Sequence, residues 1–190
     1  MAKITHADLL ADMNAVRRAI VTRFPWLIHV TPVEALADIR IHGLQPLADA
    51  AAPADVMRTI GNGSMVFFYP LGINQAAPPV SHKHGQSTFS GDFATLAIRS
   101  CCIPSRVDID WSFNPADVQS LIDWTGQSTI ESVVADLIRR QGSLVTYDVV
   151  IPEKLRVFSV GDPPTNPENW KCLTHVQNGY GVFHKPKQVV

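Results

Sequence analysis

From Thr5 to Thr22 the apolar residues Leu9, Leu10, Met13, Val16, Ile20 and Val21 recur at helical spacing. Thr5 followed three residues later by Asp8 is a helix-capping pattern, so one N-terminal helix over about residues 5–22 is expected, broken by Phe24-Pro25. The apolar run Trp26-Leu27-Ile28 then leads to His29, Val30 and Thr31. On a strand, period-two alternation puts His29 and Thr31 on one face. Pro32 stops the strand, and Val33, Leu36, Ala37, Ile39 and Arg40 continue at spacings that suit an amphipathic helix with Leu36 and Ile39 inward. Gly43 ends that helix, because glycine accepts a left-handed backbone without strain, and Leu44 and Pro46 carry the chain on in an extended direction.

Further along, an alanine-rich piece predicts a short helix from about Ala54 to Thr59, and Gly61-Asn62-Gly63 marks a turn. Met65-Val66-Phe67-Phe68-Tyr69 is β-prone and closed by Pro70. Asn74 to Asp92, with Pro78-Pro79 and His82-Lys83-His84, reads as a long loop of the kind that is functional in compact domains. Phe93 to Ile103 and Val107 to Trp111 read as strands. Asn114 and Pro115 begin a helix through Val118, Leu121 and Ile122 that Gly126 stops. Ser128-x-x-Glu131 is a capping box opening a helix through Val133, Val134, Leu137 and Ile138. Ser143 to Ile151 alternates like a strand, with Leu155 to Val160 as its hairpin partner and Trp170 to Val176 as a last strand.

His29-x-Thr31, the following helix with Leu36 and Ile39, and Gly43-Leu44-x-Pro46 together resemble the opening of the ADP-ribosyltransferase superfamily, closest to its His-Tyr-Glu branch of DNA-targeting toxins and poly(ADP-ribose) polymerases. The resemblance covers roughly the first third of the chain. It implies an α+β fold whose core is two small, mostly antiparallel sheets packed face to face around a nucleotide cleft, with peripheral helices. It also implies NAD as co-substrate, cleavage of the nicotinamide–ribose bond, and transfer of ADP-ribose to a macromolecular acceptor by a toxin or effector, or hydrolysis of NAD. The acceptor (protein, DNA or RNA) stays open, since such choice resides in variable loops.

In that family the His and the hydroxyl residue two places on hold the adenosine ribose, roles that fall here on His29 and Thr31, with Gly43 also assigned to cofactor binding. The second strand carries an aromatic residue that stacks on nicotinamide. Tyr69 takes that place, or Phe67 or Phe68 if the register shifts, because a slip of one residue turns Tyr69 to the other face. The reading that all three aromatics are core competes on even terms. A late carboxylate completes the site by stabilising an oxocarbenium-like state. Glu168 best matches the expected order, Glu131 has an ordinary explanation as a helix-cap partner, Glu153 sits in an apparent turn, and Gln177 offers a neutral amide.

Composition narrows the picture. With 190 residues and 46% hydrophobic content the chain suits one domain, its core over about residues 25–185. A formal charge of -1 gives no global field for nucleic acid or anionic membrane. Three cysteines, two adjacent as Cys101-Cys102, make no disulfide framework and favour a reducing, cytoplasmic setting. No apolar window suits a membrane span, and the N-terminus lacks a signal-peptide core. Zinc is the weaker alternative: Cys172-x-x-His175, His82-x-His84 and Cys101-Cys102 supply ligand types, but adjacent cysteines on a strand would point to opposite faces, so no metal is assigned. A non-catalytic nucleotide- or protein-binding module of the same fold is the third reading. Oligomeric state is not legible.

Overall fold

The structure, a computed structural model, describes residues 3–46, 66–71, 93–109, 115–141, 144–157 and 167–176. The expected helix near Ala54, the long loop from Asn74, His82, His84 and Gln177 lie outside those residues. Among the described residues seven strands form one hydrogen-bonded order: β1 (Trp26–Pro32), β2 (Val66–Pro70), β3 (Phe93–Arg99), β4 (Val107–Ile109), β5 (Leu144–Thr146), β6 (Arg156–Val157) and β7 (Lys171–Cys172) lie as β4-β5-β2-β1-β3-β6-β7. Every pairing is antiparallel. With helices α1 (His6–Ala11), α2 (Met13–Arg23), α3 (Leu36–His42), α4 (Pro115–Thr125) and α5 (Ile130–Gln141), the class is α+β.

The array is uneven at its middle. β2 uses Tyr69 and Pro70 to pair with β1 and Val66, Phe67 and Phe68 to pair with β5, so no residue of β2 is paired on both sides. β1 is paired along its whole length with β3. The β1–β2 ladder closes with Leu71 N–H donating to the Trp26 carbonyl (2.9 Å) and stops after Ile28–Tyr69. The next pairs in that register, His29 with Phe68 and Val30 with Phe67, are not formed.

The expected N-terminal helix is two. Asp12 interrupts it with φ -123° and ψ 68°, and its carboxylate accepts from Ala15 N–H (2.8 Å), which caps α2. Thr5 and Asp8 do form the capping box of α1. At α5 the cap is Thr129, whose hydroxyl accepts from Ser132 N–H, rather than Ser128. Glu131 is instead an ion-pair partner of Arg18 on α2. The strand expected over Phe93 to Ile103 ends at Arg99, followed by a 3-10 turn at Ser100–Cys102. β5 and β6 are not a hairpin: β5 pairs with β2 and β4, whereas β6 pairs with β3 and β7.

Alternation along the strands creates two different faces. Leu27 of β1, Val66 and Phe68 of β2, Ala94, Leu96 and Ile98 of β3 and Leu144 of β5 join one core with Val16 and Ile20 of α2, Leu36 and Ile39 of α3 and Val134, Leu137 and Ile138 of α5. The opposite face carries a smaller cluster of Trp26, Ile28, Ala97 and Trp170, with Tyr69 and Leu71 packed against it.

Gly43 belongs to the frame. Its φ of 82° is the left-handed region, and Leu44 beyond it exchanges hydrogen bonds with Val150 (2.9 and 3.0 Å). A Cβ at Gly43 would lie 2.6 Å from the Val150 carbonyl oxygen and 2.9 Å from Val149 Cγ1. The glycine is therefore required by the close approach at the antiparallel bridge between Leu44 and Val150. Gly43→Ala should destabilise the fold by about 1–3 kcal/mol through strain and overlap. Urea denaturation measures this, and a change within about 0.5 kcal/mol, as for an ordinary surface site, would refute it.

Candidate functional site

β1 delivers His29 and Thr31 to the same face, as alternation requires, and both sit where β1 and β2 part. His29 is half-buried, and Thr31 is buried. His29 Nδ1 lies 2.8 Å from the Phe67 carbonyl oxygen. A carbonyl can only accept, so Nδ1 carries the proton, and in the neutral ring Nε2 is then the lone-pair nitrogen. Continued two pairs further, the β1–β2 ladder would have exchanged hydrogen bonds between Val30 and Phe67. The imidazole takes over a carbonyl from which the strand pairing has withdrawn. The Phe68 ring packs beside it, 5.9 Å between centroids at a 59° tilt.

The other expected residues go elsewhere. Tyr69 stands opposite Ile28 in the register, and directly opposed residues share a face, so Tyr69 joins Trp26, Ile28 and Trp170 on the side of the sheet away from His29 and Thr31. Of the three candidate aromatics it is Phe68 that shares the His29 face, and Phe68 is fully buried core. Glu168, in a 3-10 turn at Pro167–Asn169, is half-exposed and forms an ion pair with Arg99. The Arg99 guanidinium lies 5.2 Å from the Trp26 ring centroid and that of Arg156 lies 6.0 Å from it. Arg156 also donates to the carbonyls of Glu168 (3.4 Å) and Trp170 (3.0 Å). The structure thus separates the expected set into two pairs: His29 with Thr31 on the face of the large core, and Tyr69 with Glu168 on the aromatic and guanidinium face. The physical reason is the pleat. Ile28 and His29 are neighbours in sequence and therefore point apart.

Glu153, in a 3-10 turn, is exposed, and its carbonyl accepts from the Cys172 thiol (3.6 Å). Among the described residues no group of three or more His, Cys, Asp or Glu is placed to hold a metal ion, and no helix is long and apolar enough to cross a membrane. Sequence reasoning missed Arg99 and Arg156. Their signal was present as single cations in otherwise apolar β segments, where a charge needs an aromatic or carboxylate neighbour.

No family model and no curated protein matches the chain. A solved structure, EcPltA, is similar to it at a TM-score of 0.37 and 12% identity, over 70% of this chain and 73% of that one. A likeness that distant leaves fold and function to be argued from the chain itself.

His29→Phe keeps a planar ring but removes the donor, leaving the Phe67 carbonyl without it. The expected cost is about 1–3 kcal/mol, the range for an unsatisfied acceptor in a partly dry site. Thermal or urea unfolding reads this, with His29→Gln, which restores an N–H, expected to recover part of the loss.

Proposed function

We propose that this chain is an NAD-dependent ADP-ribosyltransferase that grips a ribose of NAD where β1 and β2 part. The observation carrying the reading is the hydrogen bond from His29 to the Phe67 carbonyl, because it holds the imidazole at the place where the sheet opens, with Thr31 on the same face. An imidazole that donates through Nδ1 has, when neutral, acceptor chemistry at Nε2 of the kind that suits a ribose hydroxyl donor, and the Thr31 hydroxyl can both donate and accept. The change of pairing partner along β2, from β5 at Val66–Phe68 to β1 at Tyr69–Pro70, leaves this stretch of β1 unpaired on that side, which is the room the reading needs. Transfer breaks the bond between the anomeric carbon and the nicotinamide nitrogen, whose electron pair leaves with the ring, and forms a new bond from that carbon to an acceptor nucleophile. The acceptor is a macromolecule, and the activity is that of a toxin or effector.

A second reading has its own support. Because Tyr69 and Glu168 occupy the opposite face, the described residues offer the ribose grip without the aromatic clamp and carboxylate beside it. A domain of that kind binds a nucleotide and does not turn it over.

Incubation with NAD labelled in the nicotinamide ring, alongside calorimetric binding, separates the two. Transfer predicts release of nicotinamide, lowered roughly 10²-fold in His29→Ala, as expected when a positioning contact is lost. Binding without release favours the second reading. Absence of NAD binding by the folded protein overturns both.

A further inference from the structure

Cys101 and Cys102 lie in the 3-10 turn that ends β3. In that turn their sulfurs come together at 3.9 Å, whereas an extended strand would have sent them to opposite faces. Cys101 is exposed and Cys102 is half-buried. Arg17 of α2 fastens the turn, donating from one guanidinium nitrogen to the carbonyls of Cys101 (3.0 Å) and Ile103 (3.4 Å). Ile103 N–H closes it on the Ser100 carbonyl (3.2 Å).

We propose that Cys101 and Cys102 are a redox-active vicinal dithiol that exchanges with low-molecular-weight disulfides, Cys101 attacking first and Cys102 closing the ring. The division of labour follows from access. Cys101 meets solvent, while burial first, then the hydrogen bond and charge of Cys101, push the Cys102 thiol up, so it waits as the neutral partner. Lys154 and Arg99 oppose that rise and favour its thiolate when the second step comes. In the first step the Cys101 thiolate attacks a sulfur of the small disulfide, forming a mixed disulfide and expelling one thiolate. In the second, Cys102 loses its proton and attacks the Cys101 sulfur, expelling the other. The two protein thiols and one disulfide become one intramolecular disulfide and two small thiols, with the protons passing to those thiols.

The resulting bond is reducible by construction. Adjacent α-carbons across a trans peptide are about 3.8 Å apart, below the roughly 4.4 Å at which unstrained disulfides begin. Ring closure therefore works against the turn that Arg17 holds, and a strained, exposed disulfide belongs to the labile, regulatory kind.

The test uses the full chain and glutathione disulfide. Trypsin cuts after Arg99 and Arg106, so both cysteines fall in the single peptide 100–106, away from Cys172. The expected result is that peptide lighter by two hydrogen atoms, with no retained glutathione, and restored by added reduced glutathione. Cys102→Ser should instead accumulate glutathione on Cys101. An unchanged peptide, a lasting glutathione adduct in the native chain, or a crosslink to Cys172 or to a second molecule would overturn the proposal.

Discussion

A single carbonyl shapes the middle of this molecule. Where β2 turns from β1 toward β5, the backbone oxygen of Phe67 needs a donor that the adjoining strand has ceased to supply, and His29 provides it. An unpaired acceptor in a half-buried place costs about 1–3 kcal/mol, so the histidine does more than decorate the opening. It makes the change of pairing partner tolerable. The same bond fixes the tautomer of the ring, which turns a structural contact into a chemical setting.

The two faces of the sheet differ in kind because the strands bury different halves of their alternation. The face carrying Leu27, Phe68 and Leu96 packs against helices, and its contacts are mostly aliphatic. The other is narrower and built on Trp26 and Trp170, with Arg99 and Arg156 laid over the indole of Trp26. A guanidinium is weakly hydrated and planar, so it tolerates that position where an ammonium would not. Glu168 follows from it: a carboxylate beside Arg99 neutralises one of two neighbouring cations. The ion pair links the Pro167–Asn169 turn to β3.

Local features were legible in the residues. The cap at Thr5, the inward pair Leu36 and Ile39, and the stop at Gly43 all appear as read, since each depends on contacts within a few positions of itself. The shared face of His29 and Thr31 was legible for the same reason. Asp12 shows where local reading stops short: a helical rhythm ran on through it, while its side chain preferred to cap what followed. Cys101 and Cys102 show it again, because β propensity carried the expected strand past Arg99 into a turn that Arg17 secures from a distant helix.

By itself, then, the chain determined the start of its first helix, the two faces of β1 and the placing of one imidazole and one hydroxyl on a common side. Tertiary structure alone decided which strand lies beside which, and through that whether Tyr69 looks toward His29 or away from it. The difference is physical. Periodicity is written in neighbouring residues, but register is set by the sum of many side chains finding the core, and a displacement of one position exchanges the faces of an entire strand.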